Sequence, residues 1–104
     1  MRFAHRLFLG ESIADDPSRI IKKIKKKSFM PDTFIICPAS NGEDPLEYFD
    51  TKQLMQPYYR DKEFDIIGIA RSEKEAIKLV QEIYEASLEY GHDTIRSYVE
   101  ELFE

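Results

Sequence analysis

The sequence predicts an α+β fold: two layers, with a four-stranded mixed sheet covered by helices mainly on one face. Three observations lead to this prediction. Residues 64–70 are almost continuously apolar, which is typical of a strand buried inside a sheet. A long amphipathic pattern with helical spacing follows this strand directly. Asn41-Gly42, between two short apolar segments, is typical of an antiparallel hairpin.

The predicted element order is β-α-β-β-β-α-α, which is loosely ferredoxin-like, and all 104 residues are expected to form one domain. Residues 2–9 alternate in the manner of a strand, with His5 on the more apolar side. Asp16 before Pro17 is the expected pairing of an N-cap with a first helical residue, so a helix is predicted from there to about Lys27.

The middle of the chain is predicted to form the hairpin. Residues 33–37 form its first strand, and a right-handed crossover through the first helix would make this strand parallel to residues 2–9. Residues 46–50 form the return strand, at an edge of the sheet. One helical turn over residues 51–56 ends at Pro57, which cannot continue it.

The last part of the chain carries the strongest helix signals. Ser72 and Glu75 form a capping box in which each side chain satisfies a backbone N–H of the other residue. Gly91 ends this helix in a left-handed conformation, and Asp93 is the predicted cap of the final helix. Gly68, inside the buried strand, is expected to allow a bulge or the close packing of a helix.

The net charge of −5 hides a division of charge along the sequence. Residues 17–30 carry six basic side chains and no acidic one, whereas residues 73–104 carry nine acidic and three basic side chains. A basic helix can bind nucleic-acid phosphates, but no base-reading motif accompanies it and the rest of the chain is acidic. The favoured interpretation is a solvated helix face that complements the acidic C-terminal helices, within the chain or across a dimer. The candidate anion-binding residues are Arg19, Lys22, Lys23, Lys26 and Lys27.

The side chains that could carry chemistry are few and scattered. Cys37, the single cysteine, excludes an intrachain disulfide, and a reducing cytoplasm is the expected location. Pro38 and an acidic loop follow it instead of a helix N-terminus, which favours an inert thiol over a redox centre. His5 is interpreted as a hydrogen-bonded core or interface residue, and His92 as part of the cap of the last helix. The sequence therefore predicts no metal site, no cofactor and no catalytic set.

Two candidate interaction surfaces remain. Tyr58, Tyr59 and Arg60 combine residue types that dominate binding energy at protein interfaces, although the rings could instead cover the core or attach their loop to the sheet. The final helix is the second candidate. If the first two helices fill one sheet face, its apolar side has to pack on the far face or on a second subunit, and a homodimer is favoured. Its candidate contact residues are Ile95, Val99, Leu102 and Phe103.

The predicted function is a small, non-enzymatic, cytoplasmic interaction or regulatory domain that binds a protein partner or a second copy of itself. The alternative is a nucleic-acid accessory protein that uses the basic helix at residues 19–27. No membrane association is predicted, because no apolar segment approaches the roughly 20 residues that a spanning helix needs.

Overall fold

The chain folds into a four-stranded mixed sheet with helices, in the predicted order β-α-β-β-β-α-α. The structure is a computed structural model, and it describes residues 1–13, 16–28, 30–39, 45–59 and 61–104. The strands are β1 (Arg2–Leu9), β2 (Phe34–Pro38), β3 (Leu46–Asp50) and β4 (Asp65–Ala70). The helices are α1 (Ser18–Lys25), α2 (Glu73–Glu89) and α3 (Ile95–Leu102), and two 3-10 turns, Thr51–Met55 and Pro57–Tyr59, connect β3 to β4. The predicted α+β class is confirmed.

The most apolar strand, β4, lies inside the sheet, as predicted. The strand order is β1-β4-β2-β3, with β4 parallel to β1 and antiparallel to β2. β2 and β3 form the predicted antiparallel pair, whereas the turn predicted at Asn41-Gly42 lies outside the described residues.

The predicted parallel crossover from β1 to β2 is wrong. β4 occupies the position between these two strands, and its pairings make β1 and β2 antiparallel to each other. The likeness to the ferredoxin-like plan therefore does not extend to the strand directions. The crossover rule applies only to two parallel strands of a sheet, and here the chain reverses its direction between β1 and β2, so the rule does not govern this connection.

The helices divide between the two faces of the sheet. Ile36 and Ile67 pack with α2 and α3 on one face, which we call the α2 face. Ile35 and Ile66 pack with Ile24 of α1 on the other, which we call the α1 face. Two of the three helices thus share a face, but they are α2 and α3 and not the expected α1 and α2. Consecutive strand residues point to opposite faces, so each apolar face needs its own cover.

The ends of α2 follow the predicted signals in most respects. The Ser72 hydroxyl oxygen accepts the Glu75 backbone N–H at 3.1 Å, as a capping box requires. The Glu75 carboxylate, however, accepts the N–H of Arg71 at 2.9 Å. Gly91 ends the helix with φ +76°, in the left-handed region that glycine adopts without steric cost.

The other two helices begin one residue later than predicted. Pro17 precedes α1 without a side-chain cap, because Asp16 accepts the Ser18 hydroxyl instead of a backbone N–H. Thr94, not Asp93, caps α3 and accepts a backbone N–H from its first turn. Both Asp and Thr are good N-caps, so the sequence alone does not distinguish adjacent candidates.

Gly68 makes room for β1 and not for a helix. A Cβ atom added at Gly68 would lie 3.0 Å from the backbone oxygen of Phe8 and 3.1 Å from the end of the Ile36 side chain. The register between β1 and β4 shifts between Phe3 and Phe8, so the irregularity belongs to the edge strand β1. Such irregularities make an edge strand a poorer template for pairing with another chain.

Candidate interaction surface

The basic residues of α1 lie on the side of the molecule opposite to the acidic helices. α1 covers the α1 face, whereas α2 and α3, which together carry seven acidic and three basic side chains, cover the α2 face. The sequence predicts that the acidic helices complement the positive charge of α1 within one chain. This prediction is wrong, because the sheet separates α1 from them. The basic and acidic parts of the sequence therefore lie on opposite faces of the sheet. Charge complementarity between α1 of one subunit and the acidic helices of another stays a prediction.

Most of these cations have no charged partner among the residues that the structure describes. In the described ranges, none of the α1 cations forms a salt bridge, whereas Arg2 and Lys78 do. The members of this set are Arg19, Lys22, Lys23, Lys25 and Lys26; Lys23 is half-buried and the others are exposed. Clustered charge of one sign attracts and orients an oppositely charged partner before contact.

Lys27 has a structural role that the sequence does not reveal. α1 ends at Lys25, two residues earlier than predicted, and Lys27 follows with φ +53° in the left-handed region. Its ammonium donates hydrogen bonds of 2.8 Å to the backbone oxygens of Tyr59 and Lys62. Lys27 therefore fastens the end of α1 to the loop before β4, so this residue, predicted to bind anions, has its ammonium committed within the chain.

The predicted tyrosine pair separates into one packed ring and one exposed ring. Tyr59 is half-buried and stacks on Phe49, with ring centroids 6.5 Å apart, and lies 5.8 Å from Phe64. Both phenylalanines pack into the core of the α1 face. Tyr59 thus attaches the loop to the sheet, which is the alternative that the sequence leaves open.

Tyr58 is the exposed member of the pair. Its relative exposure is 68%, and its ring meets Tyr59 edge-on at 4.9 Å. The Lys62 ammonium lies 3.8 Å from the centre of the Tyr58 ring, within the range of a cation–π contact. The remaining predicted contact, Arg60, lies outside the described residues.

The exposed ring and the basic helix belong to one side of the molecule. A groove of about 490 Å³ separates the end of α1 from the first 3-10 turn, and Lys25, Lys26 and the half-exposed Met55 line it. Glu63, at the same groove, pairs with the N-terminal ammonium. We call the exposed cations and apolar groups here the interaction surface; its residues are Lys22, Lys25, Lys26, Met55, Tyr58 and Lys62.

The apolar side of α3 is covered by the chain itself. Val99 and Leu102 are buried in the core of the α2 face, and Ile95 and Phe103 pack against that core. The guanidinium of Arg2 lies 4.6 Å from the centre of the Phe103 ring and extends this cover. A homodimer through these four predicted contact residues stays a prediction, but Val99 and Leu102 offer it no free surface.

His92 forms a small cluster that sequence spacing did not indicate. Its Nδ1 lies 3.0 Å from the Ser97 hydroxyl, its Nε2 pairs with Glu101, and its ring lies 5.4 Å from that of Tyr98. These contacts tie the α2–α3 loop to α3, in agreement with the predicted role at the start of that helix. His5, in contrast, is exposed, so its predicted position in the core is wrong: its neighbour Ala4 takes the buried position on this part of β1, and a role of His5 at an interface stays a prediction.

Cys37 lies in the core of the α1 face, with 2% of its surface exposed. Burial raises the pKa of its thiol, and the negative charges of Glu47 and Asp65 raise it further. The thiolate is the reactive form, so the structure supports the predicted inert thiol.

We expect Cys37 to react with a thiol reagent only when the fold opens. At pH 8, labelling by a disulfide reagent is expected to be at least about tenfold slower in the native protein than in concentrated urea, because about 1.4 kcal/mol of opening free energy accounts for each factor of ten. The measurement is the absorbance over time of the coloured thiolate that the reagent releases when it reacts with Cys37. Equal rates in the two conditions would contradict the buried position of this side chain.

Two further classes of site find no support in the described part of the chain. Within it, no three His, Cys, Asp or Glu side chains come together in a way that could hold a metal ion. Among the helices described, none is both long and apolar enough to cross a membrane.

In comparisons with known proteins, no family model, no curated protein and no solved structure significantly matches this chain.

Proposed function

We propose that this protein is a non-enzymatic interaction domain that binds an acidic segment of a protein partner on its interaction surface. The observation that carries the proposal is the separation of charge by the sheet. Exposed α1 cations without salt-bridge partners among the described residues lie on one face, and the acidic helices lie on the other. An acidic segment approaching α1 is attracted by that face without meeting the repulsion of α2 and α3.

The apolar groups of the surface favour a protein partner. Tyr58 and Met55 are both more than half exposed, and tyrosine and methionine are enriched at protein interfaces. The Lys27 hydrogen bonds hold the loop that presents Tyr58, so less conformational entropy is lost when a partner binds. Charge would supply attraction and orientation, and the exposed ring would supply a contact that excludes water.

Nucleic acid is the second candidate, and the same charge separation favours it. A phosphate backbone that follows α1 meets the exposed lysines and stays on the opposite side of the sheet from the acidic helices. Tyr58 could serve as a stacking platform for a single-stranded base. The salt dependence separates the candidates, because each phosphate contact adds about −0.9 to the slope of log affinity against log salt for duplex DNA.

The test compares two triple variants that remove the same charge from opposite faces. Lys22, Lys25 and Lys26 are changed to glutamine in the first, and Lys74, Lys78 and Arg96 in the second. The probe is the best acidic peptide selected from a displayed library of Asp- and Glu-rich sequences, and affinity is measured by fluorescence anisotropy. We expect the first triple variant to bind at least about tenfold more weakly and the second to change affinity less than twofold.

Tyr58→Ala provides the second arm. We expect it to weaken peptide binding by about tenfold, the loss typical of a partly buried interface anchor. Equal losses in the two triple variants would show a response to net charge alone and would contradict the proposal. Saturable binding of a 20-nucleotide strand, with a salt slope that falls in the first triple variant only and no selected acidic peptide, would replace the proposed partner with nucleic acid.

A further inference from the structure

A second groove lies along the other flank of α1, away from the interaction surface. It encloses about 470 Å³, within the range of small-molecule sites, which are usually about 300–1,000 Å³. Its walls come from α1, the loop that precedes it, the segment before β2 and the turn after β4. Four separate parts of the chain therefore converge on it, so its shape depends on the whole sheet.

Three cations line this groove. Arg19 and Lys23 are one helical turn apart on α1, and Arg71 reaches it from the turn after β4. In the described ranges none of the three forms a salt bridge, and one carboxylate, that of Asp16, lines the groove with them. Asp16 also accepts the Ser18 hydroxyl. The three cations and Asp16 together carry a net charge of about +2, which a dianion would neutralise.

The floor of the groove is apolar. Ile13 and Met30 are almost fully buried, and Ile20 is half-buried beside them. Of these three side chains, Ile20 keeps accessible surface, and a ligand with an apolar part covers it, whereas a bare inorganic anion makes no use of it. Guanidinium groups prefer the planar, two-point recognition of phosphate or carboxylate, and a phosphate monoester is close to a dianion at neutral pH.

The backbone around Arg71 is held in place. Its N–H donates to the Glu75 carboxylate at 2.9 Å, and Ala70, the residue before it, pairs with Phe34 of β2. The backbone of Arg71 is therefore held at the edge of the groove, and its side chain lines the groove from there.

We propose that this groove binds a small organic phosphate monoester, with Arg19, Lys23 and Arg71 on the phosphate and the organic part on Ile20, beside the buried Ile13 and Met30. This site is separate from the surface in the proposed function and does not depend on it. Arg71 gives no sequence signal, because it is a single arginine 48 positions beyond Lys23 and only the sheet order brings it to α1.

The test uses phenyl phosphate as the probe. Its binding is measured by calorimetry and by changes in amide chemical shifts, at pH 7.5 in a buffer without phosphate. We expect saturable binding at least about tenfold tighter than that of inorganic phosphate, because of the apolar floor. We also expect it to be at least about tenfold tighter than that of benzoate, which carries a single charge.

Lys22→Gln is the matched control for Lys23→Gln, because the two residues are neighbours in the sequence. Lys23→Gln and Arg71→Gln are each expected to weaken phenyl phosphate binding by about tenfold. Lys22→Gln, with the same charge change on the outer side of α1, should change this binding less than twofold. The amide spectrum of each variant shows whether the fold is intact. Equal loss in Lys22→Gln and Lys23→Gln, equal affinity for phenyl phosphate and inorganic phosphate, or no saturable binding at 10 mM would overturn the assignment.

Discussion

Replacing Ile66 or Ile67 with alanine is expected to lower the free energy of unfolding by about 2–5 kcal/mol in each case. Both side chains are fully buried, and they are consecutive residues of β4. Ile66 packs on the α1 face and Ile67 on the α2 face, so each variant removes methyl and methylene groups from a different core cluster. A sheet covered on one side only would tolerate one of the two changes.

Urea unfolding followed by circular dichroism measures both variants. Ile77→Ala is the matched control, because Ile77 lies on the outer side of α2 with 43% of its surface exposed. We expect the control to cost less than about 1 kcal/mol, since little apolar surface returns to water and alanine favours the helix. If Ile66→Ala cost no more than the control, the cover that α1 provides to the sheet would be refuted.

The elements themselves could be predicted from the sequence because their signals are local. The apolar run at residues 64–70, the cap at Ser72 and the stop at Gly91 each depend on neighbours within a few positions. The structure contains the predicted β4 and α2 at these places. A local pattern fixes an element because hydrogen bonds and side-chain spacing within that element fix its conformation.

Strand order could not be predicted in the same way. Arg2 pairs with Asp65 across more than sixty residues, and no local pattern records which distant strand is the neighbour. The composition of β4 did indicate how the helices are distributed over the two faces of the sheet. A strand that is apolar on both faces requires two covers, which argues against placing α1 and α2 together on one face.

The candidate site shows the same limit. The exposed cations of α1 follow from helical spacing, but Tyr58 and Tyr59 are adjacent residues of the same type, and only the packing of Tyr59 on Phe49 and Phe64 distinguishes them. The role of Lys27 is equally hidden in the sequence. Glycine is the usual residue in a left-handed position after a helix, so a lysine there gives no signal.

Lys27→Met is expected to lower the free energy of unfolding by about 1–2 kcal/mol and to loosen the loop before β4. The ammonium donates to two backbone oxygens, and a hydrogen bond to a charged group contributes about 1.5–3 kcal/mol. We expect less than the sum of two such contributions, because one bond is only partly buried and the other is exposed to water. The readouts are urea unfolding and hydrogen exchange of the amides of residues 56–62. Lys26→Met, an exposed neighbour with the same chemical change, should stay within about 0.5 kcal/mol of the parent.

Lys27→Gly separates the side chain of this residue from its backbone. It removes the same ammonium as Lys27→Met, but it relieves the left-handed conformation, which costs a residue other than glycine about 1 kcal/mol. We therefore expect Lys27→Gly to be about 1 kcal/mol more stable than Lys27→Met, with loop amides that exchange equally fast in both. If the loop exchanged as slowly in either variant as in the parent, its position would depend on the packing of Tyr59 and not on Lys27. If the two variants were equally stable, the left-handed backbone would carry no cost at this position. The expected pattern, a difference in stability without a difference in loop exchange, assigns the backbone conformation to the end of α1 and the ammonium to holding Tyr58 in its exposed position.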